Sequence, residues 1–217
     1  MIADEIREQI DAIGIERGRP LLISDADEVL FAFMAGLESY LQGEGLSFDF
    51  SSFAITGNVK DADGMALDRE AVRSHLGVFF ERHTEALDPV EHAAETLAEL
   101  SKEAQIIVLS NIPLAQRGAR ARALARHGMD YPLIANEGAK GPAVRLLHDR
   151  AAAPAVFIDD IPHNHASVRD HAEDVHRLHF VADTRLARLI PQAEHCHARA
   201  DTWLEARPII ERHLFGG

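Results

Sequence analysis

The sequence predicts an α/β fold, with a three-layer, Rossmann-like core around a parallel sheet and a small, mainly helical domain inserted into that core. Two observations lead to this prediction. Five short apolar segments alternate with stretches of helical pattern along the 217 residues, as is typical of parallel sheets covered by helices. The first two segments are also separated by more than seventy residues, far more than one connecting helix requires.

The five predicted strands share a short apolar run, and they span residues 20–27, 104–111, 131–138, 153–160 and 177–183. Four of them end in polar pairs: Asp25 and Asp27, Ser110 and Asn111, Asn136 and Glu137, and Asp159 and Asp160. Ligands of open parallel sheets bind beyond the carboxyl ends of the strands. We therefore expect these side chains to meet at one edge of the sheet and to form the functional site there.

The long segment between the first two strands predicts a cap over that edge. Residues 29–42 and 67–87 have helical spacing, whereas residues 43–65 are loop-like and contain glycines and aromatic side chains. Asp88 and Pro89 mark the end of the cap, because proline restricts the residue before it and suits the first turn of a following helix.

These patterns divide the chain into two domains. Residues 1–30 and 89–217 are assigned to the α/β core, and residues 31–88 to the helical cap. Residues 200–214 are predicted to form a last packing helix, in which Trp203 is a core residue rather than a ligand contact.

Composition excludes several classes of partner. The formal net charge of −13 argues against nucleic acid, which binds to clustered basic residues. No segment approaches the roughly 18 apolar residues of a membrane span, and the acidic N-terminal segment does not have the pattern of a secretory signal. The single Cys196 excludes an intramolecular disulfide and suits a reducing compartment. We expect a cytoplasmic protein, and the sequence leaves its oligomeric state open.

Basic and histidine-rich stretches have ordinary explanations. Residues 117–128 combine alanine and arginine, which predicts a solvated helix face. The thirteen histidines are scattered, and the pairs His195/His197 and His163/His165 lack the cysteine or acidic neighbours of a typical zinc site. These histidines are therefore predicted to be structural or exposed.

Six residues form the set on which a chemical function depends. Each one alone has a common structural role, since strand-end acids often cap helices, serine and asparagine make turns, and a lysine is usually a solvated charge. The set consists of Asp25, Asp27, Ser110, Lys140, Asp159 and Asp160.

In its order along the chain, this set resembles the motifs of the haloacid dehalogenase-like (HAD) hydrolase superfamily. Those motifs are a strand-end DxD, a strand-end serine or threonine, a lysine, and a strand-end acidic pair. The resemblance covers about residues 18–30 and 95–185, and the position of the insertion matches the branch with a helical cap between the first two motifs.

Charge alone indicates a cation at this edge. Asp25, Asp159 and Asp160 would each repel a neighbouring carboxylate by about 4 kcal/mol at about 4 Å and an effective dielectric constant near 20. Carboxylate oxygens with room for water and a phosphate oxygen suit Mg²⁺. The resemblance implies that Asp25 and Asp159 bind the metal directly, that Asp160 binds it directly or through water, and that Asp27 contributes its backbone carbonyl.

The resemblance also implies a phosphohydrolase that acts on a small phosphorylated metabolite through an aspartyl-phosphate. Asp25 would be the nucleophile and Asp27 the acid and base. Ser110, the backbone N–H of Asn111 and Lys140 would bind the phosphoryl group. Asp27 favours phosphoryl transfer over carbon–halogen cleavage, because haloacid dehalogenases proper lack that second Asp and need no Mg²⁺. A sugar-phosphate mutase and a non-catalytic binding module remain as alternatives.

Three features leave alternatives open. The family's common DxDGT is DADEV here, with Glu28 in place of a usual small residue. Glu28 is predicted to be a helix-entry carboxylate or a surface residue, in preference to a substrate contact. Asn164 either braces the acidic edge or packs at a helix N-terminus. In the cap, solvated positions are favoured over substrate contacts for the cations Lys60, Arg69 and Arg73. Core packing is favoured over substrate contacts for the aromatic residues, which are Phe31, Phe33, Phe48, Phe50 and Phe53.

Overall fold

The computed structural model describes residues 2–216. The strands in this range are β1 (Leu21–Ser24), β2 (Ser47–Phe48), β3 (Val59–Lys60), β4 (Gln105–Ser110), β5 (Leu133–Ala135), β6 (Ala155–Asp159), β7 (His176–Phe180) and β8 (Ala198–Ala200). The helices are α1 (Asp4–Asp11), α2 (Phe33–Gly43), α3 (Arg69–His83), α4 (Ala93–Leu100), α5 (Arg117–Arg126), α6 (Gly141–Ala151), α7 (Pro162–His171), α8 (Thr184–Ala187) and α9 (Trp203–Phe215).

Six of these strands form one parallel sheet in the order β5-β4-β1-β6-β7-β8. Successive residues of a strand point to opposite faces, so Leu21 and Ile23 pack with α1, α6 and α7, whereas Leu22 packs with α4, α5 and α9. Helices therefore cover both faces, and the predicted three-layer α/β core is confirmed. Trp203 is fully buried in it.

The structure adds elements that the sequence did not predict. β8 extends the sheet at its edge, and α8 follows β7; both are short, and β8 contains no large apolar residue. The first predicted helix of the cap begins later than expected, at Phe33, because the amides of Leu30 and Phe31 bond to the carbonyl of Ala26 in a tight turn.

The segment between β1 and α4 contains α2, the two-stranded β2–β3 pair and α3. Its two ends lie side by side, since Ala32 donates to the carbonyl of Asp88 (3.0 Å) and Val90 donates to that of Leu30 (2.9 Å). Its apolar side chains share one buried cluster with one face of the sheet. The division into a core and a cap of residues 31–88 stays a prediction.

The first turn of α6 approaches α7 so closely that position 141 has no room for a side chain. A Cβ on Gly141 would lie 2.2 Å from the backbone oxygen of Ser167. We expect Gly141→Ala to lower the free energy of unfolding by about 1–3 kcal/mol, since backbone has to move. Equilibrium unfolding in urea measures this change in the free energy of unfolding.

Gly77 in α3 provides the matched control, because a Cβ there meets nothing within 4 Å. Gly77→Ala is expected to stabilise the protein by about 0.5–1 kcal/mol through helix propensity. Equal stabilisation by both substitutions would contradict the close packing of α6 on α7.

Candidate active site

Three neighbouring strands bring the predicted residues to one edge of the sheet. Asp25 directly follows β1, Ser110 ends β4 and Asp159 ends β6, and β1 lies between the other two strands. Lys140 immediately precedes α6. The parallel arrangement thus places four chemically different motifs at the carboxyl ends of the strands, as the sequence predicted.

Lys140 lies at the centre of this edge. Its side chain is fully buried, and its Nζ lies 2.7 Å from Asp25 Oδ1 and 2.7 Å from Asp159 Oδ2. Burial disfavours the ammonium, but the two carboxylates outweigh burial and raise the pKa of Lys140 above its ordinary value. The lysine is therefore a fixed positive charge between the two carboxylates.

Asp25, Asp159 and Asp160 each offer a carboxylate oxygen, and these oxygens lie within 4.8 Å of one another. Burial raises the pKa of Asp25, Lys140 lowers it, and the effect of burial is the larger, so the pKa is about 7. Burial and the other two carboxylates raise the pKa of Asp160 well above its usual range. The pKa of Asp159 is lowered, because Lys140 and the hydrogen bonds at its side chain outweigh burial.

Three buried carboxylates with one ammonium leave an excess of negative charge, and hard oxygen ligands in this arrangement fit a divalent cation such as Mg²⁺. Among the described residues, this is the one group of three or more His, Cys, Asp or Glu side chains with such spacing. The residues present therefore fit the metal that the resemblance implies.

Asn164 holds the carboxylate of Asp159 in place. Its Nδ2 lies 2.9 Å and 3.1 Å from the two carboxylate oxygens, and the amide of Ile161 donates to Oδ1 (2.8 Å). Asn164 itself is buried. Both roles left open by the sequence are present, since Asn164 braces the acidic edge and is also buried in the first turn of α7.

Two buried histidines fix the backbone of the acidic pair. His165 Nε2 lies 2.9 Å from the carbonyl of Asp159, and His179 Nε2 lies 3.0 Å from that of Asp160. The amide of Ala193 donates to His179 Nδ1, so Nε2 carries the proton that bonds to Asp160. His165 is thus structural, as predicted.

Asp27 has a partner that the sequence did not predict. Arg120 Nη2 lies 2.5 Å from Asp27 Oδ1, and Arg120 is fully buried, with its guanidinium 4.9 Å from the ring centre of Phe31. The prediction of a solvated face was wrong for this arginine. It was right for Arg122, whose exposed side chain pairs with Glu85.

Ser110 and Asn111 have different environments. Ser110 is fully buried, and its hydroxyl has no hydrogen-bond partner among the described residues. Such an orphaned group is costly, and a phosphoryl oxygen would satisfy it. The side chain of Asn111 is occupied in the loop, donating to the carbonyl of Gly138 (2.9 Å) and accepting from Asn136 (2.6 Å).

Glu28 is buried, and its carboxylate accepts bonds from the amides of Met34 (2.6 Å) and Asp183 (3.1 Å). Met34 lies in the first turn of α2, so the prediction of a helix-entry carboxylate is confirmed and that of a surface residue is wrong. Its φ of 58° is a left-handed conformation that favours glycine, which explains the glycine of the family's common motif. Burial raises its pKa to about 7.

A cavity of about 200 Å³ opens onto Asp25, Asp27, Lys140 and Asp160. Its apolar lining comes from both sides of the edge: Phe33, Met34, Phe53, Ile55, Phe80, Ile161 and Leu186. Of the five aromatics considered in the sequence, Phe33 and Phe53 thus face the cavity, and Phe48 and Phe50 pack on each other. Arg69 and Arg73 line a separate groove.

The sequence matches no protein-family profile and no curated protein. Its structure is similar to that of a HAD family hydrolase from Deinococcus radiodurans with bound phosphate and sodium, with a TM-score of 0.61 at 15% identity over 91% of this chain and 97% of the other.

Two further solved structures are similar in fold to this chain. One is a haloacid dehalogenase-like family hydrolase from Streptococcus pneumoniae, with a TM-score of 0.58 and 12% identity over 88% of this chain and 98% of the other. The other is a haloacid dehalogenase-like protein from Agrobacterium tumefaciens, with a TM-score of 0.61 and 12% identity over 89% and 98%. Within residues 2–216, no helix is long and apolar enough to cross a membrane.

Proposed function

We propose that this chain, whose fold is that of the haloacid dehalogenase-like hydrolases, is a Mg²⁺-dependent phosphatase acting on a small organic phosphate monoester. The observation that carries the proposal is the buried contact of Lys140 with both Asp25 and Asp159. This contact holds the ammonium of Lys140 within hydrogen-bond distance of the proposed nucleophile and of a proposed metal ligand. The similar Deinococcus radiodurans structure, which holds phosphate, adds support.

Asp25, Asp159 and Asp160 would hold Mg²⁺, with the backbone carbonyl of Asp27 as a further ligand. When bound, the ion neutralises negative charge on the phosphoryl oxygens. Lys140 would supply a further positive charge, and the hydroxyl of Ser110 would donate to a phosphoryl oxygen. These groups bind and orient the phosphoryl group for attack.

The chemistry then proceeds in two displacements on phosphorus. A carboxylate oxygen of Asp25 bonds to phosphorus while the ester P–O bond breaks, and Asp27 gives its proton to the departing alkoxide. Asp27 next takes a proton from water, whose oxygen bonds to phosphorus. The bond between phosphorus and Asp25 breaks, and inorganic phosphate leaves with Asp25 restored as a carboxylate.

Phosphate release tests this proposal. The folded protein with Mg²⁺ and a panel of phosphate monoesters is expected to release inorganic phosphate, and chelation of the metal is expected to stop it. No release from any member of the panel would overturn the phosphatase and favour a binding module. Isomerisation of a sugar phosphate with little free phosphate would favour a mutase instead.

Metal binding gives a prediction that does not depend on activity. Mg²⁺ at about a hundred times its Kd is expected to stabilise the fold by about 2.7 kcal/mol, which raises Tm by about 5–10 °C for a chain of this size. Differential scanning calorimetry with and without chelator measures the shift. The cause is relief of repulsion among Asp25, Asp159 and Asp160.

Asp160→Asn is expected to raise Tm in chelator and to reduce the Mg²⁺-dependent shift, because one of the three buried charges is gone. Asp130→Asn is the matched control, since Asp130 is exposed and outside the carboxylate group. A shift that is equal in the parent protein and Asp160→Asn would contradict the proposed ligand set.

A further inference from the structure

The cavity beside Asp25 has two chemically different walls. Charged groups, among them Asp25, Lys140 and Asp160, form one part of the lining, and apolar side chains such as Phe33, Phe53 and Ile55 form most of the remainder, the apolar wall. The other polar members of the lining are Asn111, His163 and Asn164. The phosphoryl group has to lie against the charged wall, because the nucleophile is there. The rest of the substrate therefore lies against the apolar wall.

Lys140 is the one lysine or arginine that lines this cavity in the described part of the chain, and both of its contacts are to Asp25 and Asp159. The charge of Lys140 therefore acts at the phosphoryl end of the substrate. Asp27, which pairs with Arg120, and Glu28 also line the cavity, and neither offers a positive charge. A second anionic group on the substrate would be desolvated beside carboxylic groups, with Asn111, His163 and Asn164 as its other polar neighbours, which is unfavourable.

The apolar wall is held rigidly by its own loop. Asn58 is buried, and its Nδ2 contacts the carbonyls of Ser52 (2.9 Å) and Ala54 (2.7 Å) while its Oδ1 accepts from Ser51. The residues so fixed flank Phe53, which faces the cavity. The part of the loop-like segment 43–65 that carries Phe53 is thus a preorganised part of the apolar surface.

The size of the cavity limits the substrate. An apolar cavity of about 150 Å³ holds benzene, and this one has about 200 Å³ for both the phosphoryl group and the group attached to it. From the lining, the charge and the size, we propose that the alcohol portion of the substrate is an uncharged short alkyl chain or a single ring. This inference rests on the proposed phosphatase and names its substrate class.

Three phosphate esters of primary alcohols test the substrate class with leaving groups of similar chemistry: n-butyl phosphate, glycerol 1-phosphate and 2-carboxyethyl phosphate. With the Mg²⁺-loaded protein, we expect kcat/KM for n-butyl phosphate to exceed that for glycerol 1-phosphate at least about tenfold, because a mainly apolar lining makes the desolvation of two hydroxyls costly. For 2-carboxyethyl phosphate we expect at least about a hundredfold deficit. A value for either polar ester equal to or above that of n-butyl phosphate would overturn the inference.

A positive charge introduced into the apolar wall should weaken the preference for the uncharged ester. Ile55→Arg is expected to raise kcat/KM for 2-carboxyethyl phosphate relative to n-butyl phosphate at least about tenfold, by pairing with the carboxylate. Met65→Arg is the matched control, because Met65 belongs to the same 43–65 segment but is 67% exposed, and it is expected to leave the ratio unchanged. Equal ratios in the two variants would count against the location of the apolar wall.

Failure of this inference is distinguishable from failure of the proposed function. If none of the esters releases phosphate, the phosphatase itself is wrong; if a polar ester is hydrolysed best, only the substrate class is wrong. Binding gives a readout without turnover. Titration calorimetry of the Asp25→Asn protein with Mg²⁺ is expected to give a lower Kd for n-butyl phosphate than for 2-carboxyethyl phosphate, and the opposite order would overturn the inference.

Discussion

The Asp25→Asn substitution is expected to lower kcat for phosphate release at least about a thousandfold, which corresponds to roughly 4 kcal/mol of barrier. Asn is close to Asp in shape, but its neutral amide is a poor nucleophile for phosphorus. Asp159 also contacts Lys140, but both of its carboxylate oxygens accept further bonds from Asn164, and one also accepts from the amide of Ile161, so it is held as a ligand and not as a second nucleophile. Steady-state release of inorganic phosphate measures the effect.

The same substitution removes one buried negative charge from a site with three carboxylates and one ammonium, so we expect the protein to remain folded. Thermal unfolding followed by circular dichroism checks this. Asp63→Asn, at an exposed position of the cap segment, serves as the matched control and is expected to retain full activity. Activity of Asp25→Asn within tenfold of the parent would refute the nucleophile.

The Arg120→Met substitution is expected to lower kcat/KM for an alkyl phosphate about a hundredfold, and for 4-nitrophenyl phosphate far less. Arg120 fixes Oδ1 of Asp27, and Asp27 lines the cavity, so the arginine positions the proton donor. General acid catalysis contributes about 10²–10⁴-fold. An alkoxide needs that proton to leave, whereas nitrophenolate does not. The parameter kcat/KM reports the first displacement, before hydrolysis of the intermediate.

Arg122→Met is the control on the same helix, since its side chain is exposed and pairs with Glu85 outside the site; both substrates are expected to react as with the parent protein. An equal loss on both substrates in Arg120→Met would mean that the buried arginine serves the fold alone. Loss of the alkyl substrate only would establish it as a positioning residue for Asp27.

The sequence predicted the central site well because the topology of a parallel sheet determines it. Asp25, Ser110 and Asp159 each end or follow a strand, and the carboxyl ends of parallel strands meet at one edge. Lys140 could be included through the resemblance to a known set of motifs. Their roles in catalysis stay predictions, as does the division of the chain into core and cap.

Arg120 was missed because composition describes a helix as a whole, whereas burial depends on the position around its axis. The four arginines of α5 look alike in the sequence, yet Arg120 lies three and four residues before the buried Ala123 and Leu124. That spacing places all three on one face of the helix, so the sequence did contain a pattern that indicates the burial of Arg120. Its partner Asp27 is distant in sequence, and only the tertiary structure identifies it.

Glu28 was a similar case. The sequence predicted a helix-entry or surface carboxylate, but it did not predict the left-handed backbone conformation of this residue. Two backbone amides on different segments, those of Met34 and Asp183, offset the cost of the left-handed conformation. Tertiary hydrogen bonds of this kind have no pattern in the local sequence.

The strand order has a consequence for how the chain acquires its structure. β1 pairs with β4 on one side and with β6 on the other, so Leu21 is aligned with both Gln105 and Ala155. Closing loops of this length costs conformational entropy before any pairing is gained, and folding slows as such long-range contacts come to dominate. During synthesis, the strand that carries Asp25 has to wait for more than half of the chain to emerge before both of its neighbours exist.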